Sequence, residues 1–175
     1  MTVRVGKFEK VSEDVWNTAH DNYVKNFAVY GEITEPSYIY YNVITLPTRA
    51  TKGSAGYDVV TPFEIRLRPN EEVNVPTGIK CRIDNGWALF ALPKSGLGFK
   101  YYTRLANTVG LIDEDYYNNE NNEGHIFVKL RNEGTKDLVI EEGKALCQLV
   151  FLPYGITYDD KAEGIRQGGF GSTGK

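Results

Sequence analysis

Apolar positions along the chain change their period once. Between residues 12 and 27, Trp16, Ala19, Tyr23 and Phe27 recur at helical spacing. Ser12 is placed to cap the start, and Glu13 and Asp14 lie in the first turn, where carboxylates oppose the helix dipole. The pattern predicts an amphipathic helix packed against the main body. After Pro36 the apolar residues come instead in short extended runs: Tyr38 to Leu46, Tyr57 to Val60, Glu64 to Leu67, Val73 to Val75, Gly78 to Ile83, Trp87 to Leu92, His125 to Arg131, Leu138 to Ile140 and Ala145 to Pro153. Gly, Pro and Asn separate them, and many short strands at this spacing predict an all-β barrel or sandwich. Two segments break the pattern. Residues 118 to 123, Asn-Asn-Glu-Asn-Asn-Glu, carry no apolar side chain and read as a solvated hairpin tip or loop. The tail from Gly164 is too rich in glycine to hold a regular element unless something orders it.

Composition narrows the picture. A chain of 175 residues fits one domain with its own core, and 18 glycines and 12 tyrosines favour strands joined by turns. The formal net charge of −3 argues against broad nucleic-acid binding, which selects a basic surface, but leaves room for a small anion held by local cations and amides. Cys81 and Cys147 form no C-x-x-C pair, and His20 and His125 are the only histidines, so a zinc site is not expected. Two free thiols suit a reducing compartment, and no stretch has the length of a signal peptide or a membrane span. An intracellular, cytoplasmic protein is expected, with no membrane and no nucleic-acid partner.

Five clusters could carry chemistry. In Gly110-Leu111-Ile112-Asp113-Glu114-Asp115-Tyr116 a carboxylate and an aromatic ring stand three residues apart: Asp113 can orient or deprotonate a water, and Tyr116 offers a flat wall for a sugar or base. The same run is also how a strand enters a polar turn. Ala50 to Asp58 is a Gly-Ser turn feeding a strand, with Asp58 just inside it. Pro93 to Lys100, Pro-Lys-Ser-Gly-Leu-Gly-Phe-Lys, is either an unliganded turn or a phosphate cradle of backbone N–H groups flanked by cations, in a spacing unlike a P-loop. Gln148 is polar within the apolar run Gly143 to Val150 and needs a partner, structural or ligand. In the tail, Arg166 can clamp phosphate, Phe170 can stack, and Gly171, Ser172 and Thr173 offer donors, which reads better as a lid over a ligand than as a disordered end.

In this order, ATKGSAGYD, PKSGLGFK, NTVGLIDEDY, GKALCQLV and GGFGSTG resemble the five motifs of the homotrimeric dUTPase family (deoxyuridine 5′-triphosphate nucleotidohydrolases), over roughly residues 40 to 175. The resemblance implies a dUTPase-like β-barrel or jelly roll in a homotrimer with shared active sites. It also implies hydrolysis of dUTP to dUMP and pyrophosphate, which keeps uracil out of DNA and supplies dUMP. Asp113 would activate the water that attacks the α-phosphorus, and Tyr116 would pack on the deoxyribose where a ribose 2′-hydroxyl would collide. Main-chain groups of Gly110, Leu111 and Ile112, the strand near Phe127 and the amide of Asn107 would read uracil. Lys94, Ser95, Gly96 and Gln148 would hold phosphates; Arg166, Ser172 and Thr173 would grip the γ-phosphate beside Gly171, with Phe170 over the base. Mg²⁺ would ride on the triphosphate, with Asp58 bonding its waters and no protein atom ligating it directly. A dCTP deaminase or bifunctional enzyme of the same fold, or a dUTPase with an added regulatory protein-binding role, is the alternative.

The chain departs from the family pattern in places. Lys94 stands where arginine is usual, Arg166 lies one position closer to Phe170 than is common, and the 118–123 run lengthens the usual tight turn. Three segments are therefore expected: an N-terminal extension over 1–37 with its helix near 12–27, a barrel over 38–160, and a glycine-rich arm over 161–175 closing on an active site. The extension and the 118–123 loop are the candidate surfaces for a protein partner.

Overall fold

A computed structural model describes residues 3–28, 41–164 and 166. Eleven strands are paired antiparallel in four small sheets. The largest is formed by Tyr57–Val60 (β2), Ala145–Pro153 (β11), Trp87–Pro93 (β6) and Gly110–Ile112 (β8), in that order. Glu72–Pro76 (β4), Phe127–Asn132 (β9) and Thr103–Leu105 (β7) form the second. Gly6–Lys10 (β1) pairs with Ile79–Ile83 (β5), and Leu138–Ile140 (β10) with Ile65–Leu67 (β3). The expected all-β architecture is what the chain adopts.

Alternation explains the layering. In β3, β7, β8 and β10 the middle residue is exposed and its neighbours are buried, so each strand gives one face to the core. β6 and β11 lie inside their sheet and read as longer apolar runs; Leu89, Leu146, Cys147 and Leu149 are fully buried there. Both cysteines are free and buried. The helix α1 runs over Glu13–Ala28, and its inner face is Trp16, Ala19, His20 and Tyr23, with the Tyr23 ring 4.5 Å from that of Phe63. No helix among the described residues is long and apolar enough to cross a membrane.

Three features differ from the sequence expectation. Of the strand expected over Tyr38 to Leu46, residues 38–40 lie outside the described residues, and Tyr41–Val43 form a single 3-10 turn whose Tyr41 hydroxyl donates to Val11 O at 2.6 Å. A strand not anticipated, β1, matches Gly6 to Ile83 and Lys10 to Ile79, so the chain before α1 is laddered to the barrel. The 118–123 run is a loop, as expected, but only partly solvated: Asn118, Glu120 and Asn121 are exposed. Asn119 is buried, and Asn118, Glu123 and Gly124 all adopt positive φ, folding the run into closed turns. Glu123 then accepts from Ser12 N–H at 3.0 Å, while the Ser12 hydroxyl caps Val15 N–H at 3.4 Å. In a capping box the first of these bonds comes from a Glu at the third helical position; here that position is Val15, and the loop supplies the carboxylate.

His125 closes the loop. It is fully buried, its Nε2 accepts from Gly78 N–H at 2.8 Å, and its ring lies 4.3 Å from that of Phe127. Burial pushes its pKa down to about 4, against a smaller opposing pull from Glu123. Because the folded value lies below the unfolded one of about 6.5, stability is complete above pH 6.5. It falls as pH drops towards 4, by roughly 3 kcal/mol for this group, because only the unfolded chain takes up the proton. Burial lowers His20 as well, in the same direction. Urea unfolding at fixed protein concentration between pH 7.5 and 4.5 should give a shallower pH slope for His125→Gln than for the parent; equal slopes would show that His125 does not set it.

Candidate active site

The register of the four-stranded sheet assembles one half of the site. Gln148 on β11 faces Asp58 on β2 on one side and Leu92 on β6 on the other, through an irregularity between Ala145 and Cys147. Gly56 makes room: a Cβ there would lie 2.8 Å from Gln148 Oε1. The Gln148 amide donates weakly to Pro93 O at 3.4 Å. The next residue, Lys94, forms a short ion pair with Asp58. Ser95–Tyr101 then forms helix α2, with Lys94 at its N-cap in extended conformation and no side-chain cap. The first amides of α2, those of Ser95 and Gly96, thus have no intrahelical acceptor and stand beside the Lys94 ammonium. Asp58, Lys94, Ser95, Gly96 and Gln148 are therefore brought together.

The second half lies on the other edge of β6. β8 pairs Gly110 with Ala91 and Ile112 with Leu89, so its free edge faces away from the ladder. Phe127 opens β9, which pairs with β4 and β7 and not with β8. The two segments border a cavity of about 320 Å³ that also takes in Asn107, Leu111, Leu105 and Val128. All five residues expected to read a base (Asn107, Gly110, Leu111, Ile112 and Phe127) line it. Gly110 lets β8 approach β6 closely: a Cβ there would meet that of Ala91 at 3.0 Å and the Asn107 amide nitrogen at 3.7 Å.

Asp113 follows Ile112 and is half exposed, while Arg166 is largely buried, at 52% and 12% side-chain exposure. The Arg166 guanidinium donates to Asp113 Oδ2 at 3.0 Å and Asp115 Oδ1 at 3.2 Å. It also lies 5.1 Å from the centre of the Tyr116 ring. Burial disfavours its charge, but the two carboxylates outweigh that and raise its pKa above the ordinary value. Tyr116 is only 3% exposed; its ring is covered by Arg166 and is no open wall in this arrangement. Burial raises its pKa, partly offset by Asn122 and by Arg166. Phe170, Gly171, Ser172 and Thr173 lie outside the described residues.

Asp115, Asn122 and His125 belong to this neighbourhood although the motifs did not single them out. Asp115 had a usable signal, as a second carboxylate two residues from Asp113 in the turn after β8. Asn122 and His125 had none, because their contacts depend on how the polar loop folds. Along β6 the two halves are neighbours on opposite edges: Gln148 on β11 stands across from Leu92, and Gly110 on β8 across from Ala91. Among the described residues, no three His, Cys, Asp or Glu side chains are grouped to hold a metal ion. Any cation at Asp58 would therefore draw its other ligands from solvent or a bound anion.

Comparison with known proteins identifies the family. The dUTPase family model matches residues 42–174. A deoxyuridine 5′-triphosphate nucleotidohydrolase of Lactococcus lactis is 41% identical over 133 residues, covering 75% of this chain and 89% of that protein. The crystal structure of the Streptococcus mutans dUTPase aligns with a TM-score of 0.60 at 38% identity, over 73% of this chain and 96% of that one. The dUTPase of phage phi11 of S. aureus, which has a species-specific insert, aligns with a TM-score of 0.61 over 92% of this chain and 97% of its own; at 18% identity it supports the fold alone. Since the family model spans most of the chain and the bacterial relatives align over three quarters of it, this chain belongs to the dUTPase family.

Proposed function

We propose that the chain hydrolyses dUTP to dUMP and pyrophosphate. The observation that carries this reading is the cavity between β8 and β9: its five base-reading candidates lie next to Asp113, and the edge of β8 leaves main-chain groups for a pyrimidine. As the family resemblance implies, such a pocket takes uracil and excludes a 5-methyl group, and fixed main-chain donors and acceptors discriminate against cytosine. Tyr116, once Arg166 leaves its face, supplies the wall for the deoxyribose. Asp113 accepts the proton of a water whose oxygen forms the new bond to the α-phosphorus, while the bond to the bridging oxygen breaks and pyrophosphate departs.

Arg166 links binding to chemistry. In the present arrangement it neutralises Asp113 and Asp115; a triphosphate competes for the same guanidinium and so frees Asp113 for the water. Lys94, with the amides of Ser95 and Gly96, and Gln148 hold phosphate oxygens, and Phe170, Ser172 and Thr173 take the roles that the family resemblance implies. Mg²⁺ suits the donor set, with Asp58 holding its waters and the phosphates supplying its other ligands; when bound it neutralises charge on the phosphate oxygens. The family resemblance implies a homotrimer in which neighbouring copies complete each site. Exposed Leu152 near the end of β11, with Tyr154, Ile156 and Tyr158 after it, offers apolar surface for such an assembly.

Pyrophosphate release from dUTP tests the reading directly. Asp113→Asn should lower kcat by about 10²- to 10⁴-fold with the trimer intact, and an equally active variant would remove Asp113 from the mechanism. EDTA should abolish most turnover and added Mg²⁺ restore it; activity indifferent to both would remove the metal. With dCTP as substrate no uracil nucleotide should form, and its appearance would establish a deaminase of the same fold instead.

A further inference from the structure

The asparagine-rich run that lengthens the turn after Tyr116 hydrogen-bonds that residue directly. Asn122 Nδ2 donates to the Tyr116 hydroxyl oxygen at 2.9 Å, and the same hydroxyl donates to His125 O at 2.7 Å. The phenol thus spends its proton on one partner and a lone pair on the other, which removes its rotational freedom. The orientation of Asn122 is itself determined. Its Oδ1 accepts from Asn119 Nδ2 at 2.8 Å and from Gly124 N–H at 3.1 Å, so turning the amide over would set donors against donors. Asn119 Nδ2 also donates to Tyr116 O at 3.0 Å, and its Oδ1 accepts from the Asn121 and Asn122 N–H groups. The two carboxamides therefore hold Tyr116 at both ends, phenol and carbonyl.

The bracket is fitted to this residue and anchored from outside. Gly124 has φ +79, and a Cβ on it would come within 2.5 Å of Tyr116 O, so the chain passes this close only as glycine. On the outer side Lys80 Nζ donates to Asn118 Oδ1 at 2.7 Å and to Glu123 Oε2 at 2.9 Å, and Glu123 also takes the Ser12 N–H. These bonds tie the loop to β5 and to the start of α1.

We propose that Asn122 is a positioning residue that sets the sugar specificity of the site: through the Tyr116 phenol it fixes the ring whose face excludes a ribose 2′-hydroxyl. This rests on the reading of Tyr116 as the deoxyribose wall. Steric exclusion of one oxygen depends steeply on where the wall stands, and a displacement near 1 Å changes rates by about 10²-fold. A freed ring would admit UTP before it lost dUTP. The effect of Asn122 thus falls on the ratio of kcat/KM for dUTP to that for UTP, which a general loss of folded enzyme leaves unchanged.

The test is a double-mutant cycle on the full trimeric enzyme, with dUTP and UTP as substrates. Asn122→Asp keeps the size of the side chain and its two accepted bonds, but puts an acceptor where the phenol oxygen needs a donor. The dUTP-to-UTP ratio should fall about tenfold in Asn122→Asp and by a similar factor in Tyr116→Phe, which removes the same bond from the other side. In the Tyr116→Phe background Asn122→Asp should change the ratio by less than about twofold. A loss shared equally by both substrates, or a full further effect in the Phe background, would overturn the proposal. If the Asp variant does not assemble, Tyr116→Phe carries the test by itself, and an unchanged ratio there overturns it. Tyr116→Ala separates the two levels of inference. A ratio unmoved by Ala refutes the sugar-wall reading and this proposal with it, whereas a ratio lost with Ala but kept in Asn122→Asp and Tyr116→Phe refutes the positioning role alone.

Discussion

The antiparallel ladder of β6 with β11, seven residue pairs from Pro93–Cys147 to Trp87–Pro153, is the constraint on which the rest of the molecule is arranged. It buries Leu89 and Leu149 at the centre of the core and leaves both strands with a second edge, which β8 and β2 occupy. Strand side chains alternate, so a slip of one residue would turn every core residue outward, and this register is held by burial on its inner face. The same register sets Gln148 between Asp58 and Leu92, and Gly110 opposite Ala91. Core packing and the placing of these candidate site residues are thus one decision.

Where the physics is local, the sequence was readable. Alternation in Glu72–Pro76 or Ile79–Ile83 and the long apolar runs of β6 and β11 mark strands without help from the rest of the chain. β1, with Phe8 as its one large apolar residue in Gly-Lys-Phe-Glu-Lys, carries no such signal and is a strand because β5 offers it an edge. β7 and β8 are three residues each, too short for periodicity to distinguish from loop. Tyr41–Val43 looked extended from its aromatic and β-branched content, but the Tyr41 hydroxyl reaching Val11 O favours a turn there. The site divides the same way. Residues within motifs could be named from the sequence, whereas the pairing of Arg166 with Asp113 and Asp115, and of Asn122 with Tyr116, joins residues whose approach depends on tertiary folding.

The polar loop shows why composition misled. Six consecutive Asn and Glu residues should prefer water, since burying an amide without a partner costs about 1–3 kcal/mol. Here the asparagines satisfy one another and nearby backbone groups, so the cost does not arise, and a network of this kind rigidifies what it encloses. Glu123 extends that network to the helix terminus that lacks its own third-position glutamate. The segments that matched the family pattern least, the N-terminal helix and the lengthened turn, are thereby parts of one another.

Arg166 raises the remaining question of charge. Asp113 and Asp115 each bond the same guanidinium, which balances their charge. On the role proposed for Asp113, the arginine occupies an oxygen that the water would need. On the same reading a triphosphate resolves the conflict, because it offers the guanidinium more acceptor oxygens and more charge than the two carboxylates do. Moving the arginine from Asp113 to phosphate would exchange one ion pair for another, and would bare the Tyr116 face and the Asp113 carboxylate together.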